Sequence, residues 1–549
     1  MGLLVDVFGF LSVVLRGLAL TAQSFTVGGI SFLFLLARPL APALGAVSAG
    51  IVGRARRLLM WSSLALAGIE LVTAALQVTV LAGTLSLSPV DAVQSSFALA
   101  ALTIGLCAVV VAIEAGRAKG SAGSSLVAAA VVILVAQVAS SHAAARVDGR
   151  LALGLAGLAH MAGAAVWIGG LPYLCSALAL ATDIRSAGLI ARRYSALAIA
   201  SVALLLAGAA VMAIDYIGTA DALYGTSYGA MVAAKVLLLC GLLWLGAMNF
   251  RLGRRLGRDP SASALPLRRF AEVELGIGVT IIFAAASLTS QPPSVDLTAD
   301  RASWSEVVEW VTPRLPRLTS PEHDALGISR LHAQILAAAA AREPVPRAFV
   351  PGEGVVPPRN AMDLAWSEFN HHWAGLFVLG IGLLALLERA KQGTWARHWP
   401  LVLVMLAIPM IVRADPEVWP MGQIGLLESL RDPEVIQHRL LESLTAAFGA
   451  LEWRVRTGRT ADTRAALIFP LLCALGGGLL LTHSHALANV KDQLLIEISH
   501  LQLAAAIVIA AWARWIELRL DGQHSLVAGW IWRLAFLASG VSLLFYREQ

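Results

Sequence analysis

Long apolar segments recur along most of the chain and constrain its fold more than any other feature. Each runs for about 20 residues, the length that lets an α-helix cross the hydrocarbon core of a bilayer. The 549 residues are 58% hydrophobic and only 14% charged, which is too little charge to cover a soluble protein of this size. The sequence therefore predicts an all-α fold, a polytopic transmembrane helix bundle in a lipid bilayer.

Hydropathy predicts about 14 spans in two groups. The first eight have cores near 9–36, 58–82, 92–114, 122–141, 151–180, 194–214, 228–250 and 270–290. The last six have cores near 371–388, 398–413, 434–453, 464–482, 496–517 and 525–546. A polar segment that begins with Pro292 and Pro293 separates them. We predict a first bundle of about eight helices over 1–290, an external segment over 291–365, and a second bundle of about six helices over 366–549.

The basic residues alternate between loops. The loop after the first span carries Arg38, Arg54, Arg56 and Arg57, whereas the opposite loops, such as "GTLSLSPVD", carry almost none. Because cytoplasmic loops are enriched in Lys and Arg, both termini and the external segment are predicted to face the periplasm of a bacterial inner membrane. This loop distribution accounts for the net charge of +6 without a nucleic-acid partner.

Histidine occurs near the outer end of several predicted spans in the second bundle. The segment "THSHALANVKDQLLIEISH", at 482–500, ends one span and begins the next. Histidine is the commonest metal ligand, and ionisable residues are costly inside a membrane. We therefore predict a shared metal site near the outer surface. The candidate ligands are His371, His372, His438, His483, His485 and His500, with Glu497 one helical turn before His500.

The first bundle contains a second group of candidates. His142 closes the fourth span on the outer side, and His160 lies about three turns into the fifth. We expect the His160 ring to face the bundle interior because a polar ring is costly in hydrocarbon. Met161 adds a thioether beside it, and imidazole with thioether suits copper. Interfacial or capping roles remain the alternative for these histidines, and Lys235 and Glu274 suggest a structural ion pair or a snorkelling lysine.

A series of motifs occurs between residues 142 and 290. In order, they are "SSHAAA", "LAHMAGAAVWIGGLPYL", "RRYSALAIASVALLLAGAAVM", "LYGTSYGAMVAAKVLLLCGLLWLGAMN" and "LRRFAEVELGIGVTIIFAAASL". Their order and spacing resemble the bacterial copper resistance protein D (CopD) family of inner-membrane proteins. The second half resembles longer members in "RADPEVWPMGQIGLLES", "DPEVIQHRL" and "THSHA". The resemblance implies a role in copper tolerance and movement of copper across the inner membrane toward the cytoplasm.

Together, the histidines and the resemblance predict a copper-handling membrane protein that transports copper ions from the periplasm. A periplasmic copper-binding protein is a candidate partner. One alternative is a membrane b-type cytochrome, with haem b held by two histidines of the second bundle; another is a copper-binding assembly factor or sensor. No Walker or HExxH motif occurs, so no enzymatic activity is predicted. The ten methionines form no Met-x-x-Met array, unlike a methionine-lined copper channel.

Overall fold

The polypeptide is built almost entirely from α-helices. The structure is a computed structural model that describes residues 2–117, 123–181, 183–326, 361–391, 393–430, 432–460, 463–481 and 490–548. These ranges contain no β-strand beyond an isolated bridge between Val418 and Ile424. The predicted all-α fold is therefore confirmed.

The longer helices are numbered here in chain order. In the first half they are α1 (Gly2–Phe32), α2 (Val47–Leu85), α3 (Ser96–Gly116), α4 (Gly123–Ala139), α5 (Arg150–Trp167), α6 (Ile184–Tyr216), α7 (Ser227–Leu256) and α8 (Leu265–Leu288). In the second half they are α9 (Ala361–Arg389), α10 (Leu401–Arg413), α11 (Pro433–Arg456), α12 (Ile468–Leu480), α13 (Val490–Arg519) and α14 (Gly522–Leu544).

Each predicted span coincides with one of these helices, but the helices are not equally suited to cross a membrane. In the described part of the chain, 11 helical segments are long and apolar enough to do so. The helices α4 and α10 are apolar but shorter, and α11 is long but carries several charged residues. The chain is thus a multi-pass membrane protein, while the number of about 14 crossings stays a prediction.

The helices form two compact units. The first comprises Met1–Gly218 and Lys235–Ser290, and the second comprises Thr219–Ala234 and Gln291–Gln549. The helix α7 contributes its beginning to the second unit and the rest to the first. The second unit also includes the described residues between Ser290 and α9. It therefore contains polar segments in addition to its membrane helices.

In the first unit, α1 crosses the end of α5 at a contact between glycines. A Cβ atom added to Gly28 would lie 2.3 Å from the carbonyl carbon of Gly169, and one added to Gly169 would lie 1.9 Å from the carbonyl oxygen of Ser24. No side chain fits these distances. Small residues let membrane helices pack backbone to backbone, where van der Waals contact holds them together.

Glycines also set the distance between α5 and α6. A Cβ at Gly208 would lie 2.4 Å from the oxygen of Ala156 and 2.8 Å from the nitrogen of His160. One turn further along, a Cβ at Gly163 would lie 2.5 Å from the oxygen of Ser201. This close approach places the His160 side chain directly against the backbone of α6.

The second unit has an aromatic core. Trp399, Phe469 and Trp532 are almost completely buried, and the ring centroid of Trp399 lies 5.9 Å from that of each of the other two. At Gly375, a Cβ would lie 2.5 Å from the nitrogen of Leu544, so α9 and α14 also pack through a glycine. Aromatic packing and close helix contact together fix the arrangement of this unit.

The glycine contact between α1 and α5 generates a stability prediction. The substitution Gly169→Ala should lower the free energy of unfolding by about 1–3 kcal/mol, because the new methyl group meets backbone that cannot move aside cheaply. Thermal or denaturant unfolding of the purified protein in detergent measures this.

The matched control is Gly241→Ala in α7, where a Cβ meets nothing within 4 Å. It should leave stability unchanged or raise it, because alanine favours the helix over glycine. Equal stability of Gly169→Ala and the unsubstituted protein would show that the crossing is looser than described.

Candidate functional site

His160 lies on α5, and its ring contacts α6. Its Nδ1 lies 3.1 Å from the carbonyl oxygen of Leu205. Because a carbonyl can only accept, Nδ1 carries the proton and Nε2 keeps its lone pair. Imidazoles that bind metals usually donate their other ring N–H in this way. The inward orientation predicted from sequence is confirmed, and Met161 is half-buried beside it.

His142 occupies a different position in the first unit. Its Nε2 lies 3.0 Å from the carbonyl oxygen of Thr289. This bond joins the short helix His142–Ala145 to the residue that follows α8. One nitrogen of His142 therefore contributes to holding two helix ends together.

The buried carboxylate of Glu274 has neutral hydrogen-bond partners. Its Oε1 accepts a hydrogen bond from Nε1 of Trp167 at 2.5 Å, and its Oε2 accepts one from Nδ2 of Asn249, also at 2.5 Å. Tyr194 donates to the carbonyl of Trp167 and extends the network. Of the two alternatives for Lys235 and Glu274, the structural ion pair is not the one observed, because an indole and an amide bind the carboxylate.

In the second unit, His371 and His500 lie together. Their ring centroids are 6.4 Å apart, and the rings meet edge to face. Tyr546 stacks on His371 with a centroid distance of 3.8 Å and meets His500 edge-on at 6.2 Å. Nδ1 of His500 donates to the carbonyl of Ile496 on its own helix. Two predicted ligands from α9 and α13 are thus brought together around one tyrosine.

Glu497 and His372 differ from this pair in their surroundings. Glu497 is buried on α13, one turn before His500. His372 is buried as well, and both of its nitrogens are engaged. Its Nδ1 accepts from the backbone N–H of Arg317 at 2.7 Å, and its Nε2 donates to the carbonyl of Tyr546 at 2.9 Å. His372 therefore fastens two chain segments to α9 and has no lone pair left for a metal.

His438, at the start of α11, pairs with a carboxylate. Its Nδ1 lies 2.7 Å from Oδ1 of Asp415. Asp415 is buried, and its second oxygen has no hydrogen-bond partner. Asp415 was not among the sequence candidates, and neither was Tyr546. No local spacing could identify them, since 23 residues separate Asp415 from His438 and 174 separate His372 from Tyr546.

The structure describes only some of the predicted ligands of the shared metal site. His483 and His485 lie outside the described residues. Within the described ranges, no three His, Cys, Asp or Glu side chains are arranged to hold a metal ion. The full convergence of histidines stays a prediction. The rings of His371 and His500 leave no flat gap for haem, because they meet edge to face.

An ion pair connects the start of α13 to a short helix of the same unit. Nζ of Lys491, near the start of α13, donates to Oε1 of Glu306 at 2.7 Å. Glu306 belongs to the short helix Trp304–Val311, where it forms a capping box with Ser303. The Lys491 ammonium and the Ser303 donors hold the pKa of the Glu306 carboxyl at about 2, well below its ordinary value of 4.5.

Comparison with known proteins finds a family match toward the end of the first half of the chain. Residues 188–288 match the family model described as copper resistance protein D, so the resemblance predicted from the motifs is confirmed for this segment. The copper transport protein CutJ of Bacillus subtilis (strain 168) is 28% identical over 163 residues, which cover 29% of this chain and 29% of the relative. The similarity thus spans less than a third of that relative's length. No solved structure matches the chain.

The Glu306–Lys491 pair generates a pH prediction. A carboxyl with a depressed pKa contributes stability that is present above about pH 4.5 and is lost as the pH falls toward about 2. The variant Glu306→Gln should therefore be less stable than the unsubstituted protein at pH 7, and the difference should shrink on acidification. Unfolding midpoints from pH 7 to pH 3 measure it. A difference independent of pH would mean that Glu306 acts through packing alone.

Proposed function

We propose that this chain, whose residues 188–288 form a copper resistance protein D segment, moves copper ions across the bacterial inner membrane from the periplasm toward the cytoplasm. The observation that carries the proposal is the bond from His160 to Leu205. It ties the imidazole to α6, which belongs largely to the family segment, and keeps Nε2 as a lone-pair donor. Copper binds imidazole nitrogen well.

In this proposal, His160 and Met161 bind the ion on its way through the first unit, and His142 is a further candidate ligand. Nitrogen and thioether ligands suit copper better than they suit calcium or magnesium, which prefer oxygen. Copper is thus the transported ion and not a resident cofactor. No catalytic role is assigned to any residue.

The second unit supplies the proposed capture site on the periplasmic side. His371 and His500 contribute imidazoles, Glu497 contributes a carboxylate one turn away, and His483 and His485 are the further candidates. The arginine-rich loops support this orientation, with both termini in the periplasm. A periplasmic copper-binding protein is the proposed donor of the ion.

Loss of the His160 imidazole tests the transport step. The variant His160→Ala should lower copper uptake into proteoliposomes by at least about tenfold. Loss of a group that only orients a metal ligand already lowers metal affinity or activity by about tenfold or more, and His160 is a proposed ligand itself. Uptake is measured with a copper-sensitive dye inside the vesicles. The control is His398→Ala, which removes an imidazole that accepts from Trp453 and should leave uptake unchanged. Normal uptake by His160→Ala would contradict the proposal.

Loss of the His500 imidazole tests the capture site. The variant His500→Ala should bind less copper than the unsubstituted protein while inserting into the membrane normally, because one proposed ligand is gone. Metal analysis of protein equilibrated with limiting copper measures the change. His323→Ala, which removes a ring bonded to the carbonyl of Pro416, is the control. Unchanged copper content in His500→Ala would count directly against this site.

A further inference from the structure

The helix α11 carries a row of mostly polar residues along one face. Steps of four and three residues separate them, which places all of them within an arc of about 80° on a helix of 3.6 residues per turn. From residue 438 to residue 456 the face extends about 27 Å, close to the thickness of the hydrocarbon core. The residues of this polar face are His438, Glu442, Thr445, Gly449, Glu452 and Arg456.

The polar face points into the second unit. Glu442, Gly449 and Glu452 are buried, whereas Leu440 and Ala447 on the opposite side are exposed. Ionisable residues that face the interior of a membrane bundle often mark ion or proton pathways. In a purely structural network, every donor and acceptor of these residues would form a hydrogen bond.

Glu442, toward one end of the face, has carboxylate oxygens that accept no hydrogen bond. It is only 7% exposed, and neither carboxylate oxygen has a hydrogen-bond partner. The nearest cation is Arg439, whose Nη1 lies 3.8 Å from Oε2, but this guanidinium already donates to the carbonyls of Ile411 and Trp419. Asp415 and His438 are the other charged or titratable groups that act on Glu442.

Glu452, toward the other end, is only half satisfied. Its Oε1 accepts from Nε of Arg456 at 2.8 Å and from Nη2 of Arg514 at 3.4 Å. Its Oε2 has no hydrogen-bond partner, and Nη2 of Arg456 and Nε of Arg514 also lack one. Cys473 of α12 is the remaining titratable group beside it. One hydrogen-bond acceptor and two donors are thus unpaired around the buried Glu452.

The middle of the face is closed. The hydroxyl of Thr445 donates to the carbonyl of Leu441 at 2.8 Å. At Gly449, a Cβ would lie 2.6 Å from the carbonyl oxygen of Pro400, which precedes α10. This contact leaves no room for an ion beside α11. The Thr445 hydroxyl and a row of several water molecules could relay a proton along this stretch once the contact opens.

We propose that the polar face of α11 is a proton pathway through the second unit, with Glu442 and Glu452 as its proton-binding groups. A proton from the aqueous side adds to the carboxylate of Glu442 and forms the carboxylic acid. It then passes by way of Thr445 and water to Glu452, and from there to the other side. No oxidant or further reactant is needed, and the pathway does not depend on copper being the transported ion.

The residues of the face favour protons over metal ions. The described part of the chain holds no group of three metal ligands, and the guanidinium groups of Arg456 and Arg514 repel a metal cation near Glu452. A structural network would account for Glu452, which is paired with two arginines. It does not account for Glu442. A buried carboxylate that accepts no hydrogen bond lowers the stability of the protein, so a structural role does not explain its presence.

Proton flux into proteoliposomes tests the proposal. The full chain is reconstituted in vesicles containing pyranine, and valinomycin-driven potassium efflux makes the interior negative, with and without external copper. The unsubstituted protein should acidify the interior in at least one of these conditions. Glu442→Gln should slow the flux at least about tenfold, because the amide cannot carry the proton, yet it should unfold at the same or a higher temperature. Glu428→Gln changes an exposed carboxyl of the same unit and should leave the flux unchanged.

Two results would overturn the proposal. One is an unsubstituted protein that moves no more protons than empty vesicles in either condition. The other is Glu442→Gln that conducts normally. If Glu442→Gln loses stability and flux together, Thr445→Val decides, since it removes only a hydroxyl bonded to its own helix. Slowed flux in a stable Thr445→Val would support the pathway, and unchanged flux would refute it. Copper uptake by the same vesicles is measured separately.

Discussion

The cost of an unpartnered charge in hydrocarbon governs the arrangement of both units. Most of the ionisable side chains described above on membrane helices face another helix and have a polar neighbour, and Glu442 is the exception. In the first unit, Glu274 meets an indole and an amide. The buried Glu70 faces the charge of Arg16, and the guanidinium of Arg16 lies within hydrogen-bond distance of the side-chain amide of Gln137. Helix orientation follows from these requirements as much as from apolar packing.

The two units meet this requirement in different ways. The first gives its buried Glu274 two neutral donors, Trp167 and Asn249. The second uses arginine and glutamate pairs around aromatic rings; Arg533, for example, lies over Trp532 and donates to Glu517 at 2.9 Å.

The sequence predicts the helices well and their side-chain partners poorly. Hydropathy locates the helices because each must be apolar over a bilayer thickness, a property of a continuous segment. The inward orientation of His160 follows for the same local reason. The partner of His438 lies on another segment of the chain, and Tyr546 reaches His371 only through the folded second unit. Such contacts depend on how helices pack, which no spacing along one helix encodes. The spacing of four between His438 and Glu442 was, however, a local signal for the polar face.

The hydrogen bond from Trp167 to Glu274 gives the first unit an optical reporter. The bond joins an indole N–H to a carboxylate, and a charge-assisted bond of this kind weakens when the acceptor takes a proton. The excited state of indole is more polar than its ground state, so a charge at the ring nitrogen shifts its emission. With 15 tryptophans in the chain, the signal of Trp167 emerges as the difference from a Trp167→Phe variant. Fluorescence then follows the charge state of Glu274 in real time.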